Sequence, residues 1–212
     1  MPPGGSSAAA LDLHRQYKSE YVARREPAIV NVGPARYLVA TGSGAPGGPE
    51  FQRAIGSLFG AAYALKFRCK ALGHDFKVSG LEGLWESPPF GGHRREPRIS
   101  KTPWRLLLRV PEFVGRGDLK ATHQRTPRKG GPGGPAVTLE RFREGTCVQM
   151  LHVGPYSKET ATVQAMEASA RGHGYALAGP LHEIYLSDPR RVAPTRLRTV
   201  LRVRVTKARP VP

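Results

Sequence analysis

Two tripeptides, Val32-Gly33-Pro34 and Val153-Gly154-Pro155, hold equivalent places in two runs of the same order. In the first, the apolar segment Ala28–Val32 meets the Gly-Pro break and resumes at Tyr37–Thr41, as a kinked or paired strand does. A flexible turn over Gly42–Pro49 leads to a helical pattern from Glu50 to Leu72. There Phe51, Ile55, Leu58, Phe59, Ala62, Leu65, Cys69 and Leu72 form one apolar stripe, and Gly73 is a natural terminator. Strands are expected at Phe76–Trp85 and Trp104–Val110. In the second run, a strand over Thr146–Val153 reaches its Gly-Pro break. A helix follows from Ser157 to Arg171, stopped by Gly172 and Gly174, with strands at Leu181–Leu186 and Thr195–Val205. A weak internal duplication explains this order, and it predicts an α+β fold of two strand-helix-strand-strand repeats. Two such halves pair their sheets, and the concave seam between them is a ligand cleft.

The expected organisation is a disordered N-terminus over 1–10 and a short amphipathic helix over 11–25, with Tyr17 and Tyr21 one turn apart. The first repeat spans 26–115, a basic Gly/Pro linker 116–136, the second repeat 137–207, and a tail 208–212. No apolar run is long enough to span a membrane, and the N-terminus lacks the pattern of a secretory signal. A cytoplasmic protein is therefore expected. Cys69 and Cys147 sit in apolar-periodic segments and read as core thiols. Net charge is +17, with 33 Lys+Arg against 16 Asp+Glu, so an anionic partner must be weighed. In RLRTVLRVRV, Arg196, Arg198, Arg202 and Arg204 alternate with apolar residues, which predicts a half-buried strand with a wet arginine face. A phosphate-binding stripe is the other reading of those arginines. No zinc-finger spacing or RNA-binding aromatic signature supports nucleic acid, which stays a weakly supported partner.

The segment HEIYLSDPRR, from His182 to Arg191, is the most informative for chemistry. On a strand, Glu183 and Tyr185 share one face. A carboxylate beside aromatic carbon needs a reason, because burying a charge is costly unless it is paired or used. Glu183 reads either as a salt-bridged surface acid or as a general base or counter-charge in a site. Trp85 and Trp104 flank an arginine-rich loop, as core packing or as walls gripping a flat ligand. Tyr156 follows a Gly-Pro break, either as a structural tyrosine or aimed into the cleft. Glu82 and Glu86 read as loop acids. The Gly42–Gly48 stretch lacks the Gly-Lys-Ser/Thr of a phosphate loop, and no Gly-x-Ser-x-Gly elbow occurs. The histidines, including His152, His173 and His182, show no metal-ligand spacing. Neither a metal nor a cofactor is expected.

Across residues 11–207 the chain resembles the GyrI-like small-molecule-binding family. The stretches that carry the likeness are LDLHRQYKSEY, Glu26-Pro27, EFQRAIGSLFGAAYALKF, LEGLWES, PWRLLLRVPEFV, LHVGPYS and HEIYLSDPRR. The resemblance implies two repeats around a pseudo-twofold axis, an antiparallel sheet, and an aromatic central cleft holding Glu183. The LEGLW and HEIYLSDPRR pair looks like the cyclopropanoid cyclopropyl hydrolase branch, which opens the strained ring of DNA-alkylating natural products of the yatakemycin type. On that likeness Glu183 is the expected base. Tyr156 or Tyr185 is the donor to the developing phenolate, and Trp85, Trp104 and Phe113 are the cage. The chain departs from its relatives at Glu86, where they commonly carry a second tryptophan, and at Gly44-Ala45-Pro46. A non-catalytic protein that binds and sequesters hydrophobic drugs is the alternative, as monomer or homodimer.

Overall fold

The computed structural model describes residues 9–85, 103–125 and 134–208. The expectations for most of the N-terminus, for Glu86 and the loop after it, for the second part of the linker and for the last four residues lie outside these.

The chain runs α1 (Leu13–Gln16), α2 (Lys18–Tyr21), β1 (Ala28–Ser43), α3 (Pro49–Ala71), β2 (Glu82–Trp85), β3 (Pro103–Val110), α4 (Arg116–Arg125), β4 (Thr138–Val153), α5 (Glu159–Gly172), β5 (Tyr175–Leu177), β6 (Leu181–Tyr185) and β7 (Arg198–Lys207). All strand pairings are antiparallel, in the order β4-β1-β3-β2-β6-β7-β5. A further pairing of β4 with β7 joins the ends, so six of the strands form a closed ring. The ring has the symmetry of the duplication. β1 pairs β4 and β2 pairs β6 between the halves, while β3 bridges β1 and β2 as β7 bridges β4 and β6.

Each helix covers the outside of its own half. The buried stripe of α3 (Phe51, Ala54, Leu58, Ala61, Ala62, Leu65 and Cys69) packs on Leu38, Ala40, Trp104, Leu106 and Leu108. Fully burying a residue such as Leu58 or Leu65 contributes about 1.5–3 kcal/mol. In the second half, Val163, Met166 and Ala170 of α5 pack on Val148, Leu201, Val203 and Val205. Alternate residues of the same strands point inward. Tyr37, Val39, Leu84 and Leu107 form one interior cluster, and Ile184, Val200 and Tyr21 another. Among the described residues no helix is long and apolar enough to cross a membrane.

Four details differ from expectation. The helix expected over 11–25 is two single turns, α1 and α2, meeting at Tyr17. Tyr17 and Tyr21 both turn into the barrel, where the Arg109 guanidinium lies 3.8 Å over the Tyr17 ring. β1 runs unbroken through Gly33-Pro34, whereas β4 stops at Val153 before its own Gly-Pro. The start of the expected linker is α4. Asp118 accepts the Gly115 N–H at 3.0 Å and an Arg68 N–H of α3 at 3.2 Å, and Leu119 joins the core. Finally, β7 has no continuous wet face. Arg196, Arg198 and Arg204 are exposed, but Arg202 is 1% exposed. Closure of the barrel puts its side of the strand indoors. Both cysteines are buried and free, as expected.

Candidate functional site

Strand β6 alternates strictly. His182 and Ile184 face the barrel interior, and Glu183 and Tyr185 face outward between α3 and α5. Glu183 is 8% exposed. The Tyr185 hydroxyl donates to its Oε2 at 2.8 Å, the same-face contact that period two predicts. Gly83 stands opposite Glu183 across the β2–β6 pair. A Cβ on Gly83 would come 3.0 Å from the Tyr185 hydroxyl and 3.2 Å from Trp85 Nε1. The missing side chain is therefore the space these groups occupy.

Trp85 marks the seam, since it packs against the cores of both halves. Its ring stacks on Phe51 of α3 at 6.0 Å, and Phe51 meets Trp104 edge-on at 5.4 Å. Trp104 itself is 1% exposed and lies behind Phe51, over Gly42. Tyr156 meets Tyr185 edge-on at 5.8 Å and is 38% exposed, so it stands at the solvent edge of the group. The turn that delivers it needs Gly154, whose φ of 138° is disfavoured for other residues. His152 ties that turn to α5, contacting Thr162 at 2.8 Å and the Pro155 carbonyl at 3.3 Å.

Phe113 is not in this group. It packs on His74 and Phe76, beyond the C-terminal end of α3, whereas Phe51 sits at the other end of that helix, roughly 30 Å away along its axis. The structure thus brings together Glu183, Tyr185, Tyr156 and Trp85, places Trp104 one layer behind, and leaves Phe113 out.

One acid was missed by the sequence reading. Glu159 opens α5 and is 8% exposed, with its carboxyl directed at Glu183. Burial, then the charge of Glu183, pushes its pKa up to about 10, so it holds a proton and donates toward Glu183. Burial also raises Glu183, while the Tyr185 hydrogen bond, the nearby Glu159 carboxyl and Trp85 N–H, and the charge of His182 oppose the rise. Burial and the neighbouring Glu183 hold the Tyr185 phenol well above its ordinary value, so it remains a donor. Trp85 Nε1 and Glu159 Oε1 are buried without a well-formed hydrogen bond inside the protein. Sequence offered one faint signal for Glu159, an acid in the first turn after the Gly-Pro break, which reads equally as a helix-dipole partner.

The opposite face holds a second set of charges. Glu82, expected as a loop acid, is 1% exposed and accepts from Tyr21 at 2.9 Å. His182 lies 2.9 Å from Glu82 Oε2 and 2.9 Å from Glu144 Oε1. Arg202 reaches Glu144 at 2.7 Å, Gln149 at 3.2 Å and the Glu20 carbonyl. Arg109 reaches the Glu20 carboxylate at 2.6 Å. Among the described residues, no group of three or more His, Cys, Asp or Glu is arranged to hold a metal ion.

A two-helix barrel with an acid sealed into an aromatic seam defines a small-molecule-binding class of domain. Residues 118–206 match the model of the GyrI-like small-molecule-binding domain. A solved structure of an uncharacterized conserved protein from Listeria innocua is 36% identical, with a TM-score of 0.83 over 92% of this chain and 100% of that one. A structure described as a hydrolase from Listeria innocua is 32% identical, with a TM-score of 0.83 over 93% of this chain and all of that one. A second such hydrolase is 34% identical, with a TM-score of 0.80 over 92% and 100%. The C-terminal domain of EcmrR shares the fold at 14% identity and a TM-score of 0.52, over 86% of this chain and 98% of that one. No curated protein matches this chain at a significant level. The chain belongs to the GyrI-like small-molecule-binding family.

Proposed function

We propose that this protein is a hydrolase that opens the cyclopropane of DNA-alkylating, cyclopropanoid compounds of the yatakemycin type, and so detoxifies them. The observation that carries this reading is Glu183, an acid nearly sealed from water at the aromatic seam. The similarity to two proteins described as hydrolases, each about a third identical over the whole fold, supports it.

The substrate has a cyclopropane fused to a dienone. Water attacks the ring methylene and forms a carbon–oxygen bond. The strained carbon–carbon bond breaks, and its electron pair enters the dienone to leave an aromatic phenolate. Glu183 takes the proton released by the attacking water, and the phenolate gains one from a donor or solvent, so the net change is addition of one water. Tyr185 holds Glu183 by a hydrogen bond, the protonated Glu159 lies beside it, and a carboxylate has acceptor sites to spare for water. Tyr185 is thereby committed to Glu183, which leaves Tyr156 at the solvent edge as the donor to the phenolate. Trp85 and Phe51 supply flat walls, each aromatic contact being worth about 0.5–1.5 kcal/mol beyond the buried area.

Incubating the protein with such an alkylator, followed by mass spectrometry, should give a ring-opened product one water heavier. Glu183→Gln should slow its formation by roughly 10²–10⁴-fold. Equal rates in the two proteins would remove the assigned role of Glu183. The family's description as a binding domain favours a second reading, sequestration without turnover. Its mark is stoichiometric protection of the intact compound.

A further inference from the structure

The residue before Glu183 belongs to the other face of the sheet, and the hydrolytic mechanism leaves it unused. His182 is 0% exposed. Both of its ring nitrogens lie 2.9 Å from carboxylates, Nε2 from Glu82 and Nδ1 from Glu144. An ionised carboxylate only accepts hydrogen bonds. Two of them on one imidazole therefore require hydrogen on both nitrogens, which makes the ring a cation.

Charge balance gives the same answer independently. The barrel interior holds three acids, Glu20, Glu82 and Glu144, and two arginines, Arg109 and Arg202. A charged His182 makes three against three. A neutral one leaves an uncompensated buried negative charge, which is strongly unfavourable. Every element around the ring contributes to this arrangement. β2 supplies Glu82, β4 Glu144, β7 Arg202 directly opposite His182, β3 Arg109, β1 Tyr37, α2 Glu20 and Tyr21, and α1 His14, stacked on Tyr21 at 3.9 Å.

We propose that His182 is a positioning residue for Glu183: an imidazolium clamped between two carboxylates directly behind the base, which keeps that base ionised in a seam that otherwise favours its neutral form. On the other side Glu183 faces Tyr185 of its own strand, Trp85 of β2 and Glu159 of α5, with Tyr156 beyond. None of these is a cation. The charge of His182, the neighbouring residue on the strand, opposes the rise that burial imposes on Glu183 and adds to the Tyr185 hydrogen bond. The clamp explains why the imidazole stays charged. Burial alone works against the cation, but Glu144 and Glu82 more than offset it and raise the ring to about 9.

The role of His182 rests on Glu183 acting as a base, and two measurements keep the two claims apart. Nitrogen-15 NMR of the native protein at neutral pH should show both His182 nitrogens protonated. A neutral tautomer there would overturn the proposal without any variant. Carbon-13 NMR of the Glu183 carboxyl should show its titration moving to higher pH in His182→Gln. In turnover, the acid limb of the kcat/KM profile should move the same way while KM at the plateau is unchanged. An unmoved carboxyl titration would also overturn it. Absence of turnover in the native protein sinks the hydrolase reading alone, because both NMR titrations remain readable. Should His182→Gln fail to fold, the native nitrogen spectrum decides.

Discussion

Gly83 shows how much of the candidate site depends on an absent atom. It stands across from Glu183, and the room a methyl group would need is already taken by the Tyr185 hydroxyl and the Trp85 indole. Trp85 is held by Phe51 and both cores, so it gives little. Gly83→Ala should push the Tyr185 hydroxyl off Glu183, cost about 1–3 kcal/mol as overpacking does, and lower turnover more than it lowers thermal stability. Parallel melting curves and product assays check this. At the residue scale, the Glu183–Tyr185 pair was legible because strand alternation is local. Glu82, Glu159 and His182 were not, since an acid or imidazole reveals its burial only through partners far along the chain: Glu82 meets Tyr21, and His182 meets Glu144.

Among the elements, β7 is the one whose environment alternation misjudged. A strand with arginine at every second position reads as wet on one side. Here α5 covers one side and the barrel interior the other, and Arg202 is enclosed with Glu144, Gln149 and the Glu20 carbonyl. Two Leu-Arg-Val triplets, Leu108-Arg109-Val110 and Leu201-Arg202-Val203, carry the two arginines that are buried among the described residues, and that recurrence was the available sequence signal. Replacing Arg202 with Met leaves Glu144 only His182 and takes the partner from the Glu20 carbonyl. We expect a loss of about 3–5 kcal/mol in denaturant unfolding, against a few tenths for Arg204→Met at an exposed position of the same strand. The α4 segment was missed for a related reason. As the start of a basic, Gly/Pro-rich run over 116–136 it reads as a linker, while its stability comes from Asp118 and Leu119 meeting α3 and the core.

For the molecule as a whole, the interior charges set a pH window. His182 is raised from 6.5 to about 9. Its contribution to stability is complete below the unfolded value and is lost as pH climbs through the folded one. Glu144 is lowered from 4.5 to about 2, chiefly by His182 and Arg202 working against burial. Its contribution is complete above 4.5 and is lost as pH falls toward 2. Both are whole between about 4.5 and 6.5. Glu159, raised from 4.5 to about 10, costs stability progressively as pH climbs above 4.5, and the cost is complete near 10. Urea midpoints across pH should therefore peak in the mildly acidic range and decline toward pH 9. A midpoint that is flat from pH 6 to 9 would contradict the charged His182. The duplicated architecture was legible at this scale because each half repeats its local pattern. Ring closure through β4 and β7 was not, because no local pattern encodes a pairing between distant edges.

One consequence follows from the strict two-sidedness of β6. Consecutive residues of the strand serve different masters, a salt lattice indoors and the candidate site outdoors. Sliding the strand by a single position would deliver the imidazole to the candidate site and the acid to the lattice, ruining both together. Insertions or deletions within the strand should thus be lethal to activity and folding alike. The tripeptide His182-Glu183-Ile184 should move between homologous proteins only as one indivisible unit.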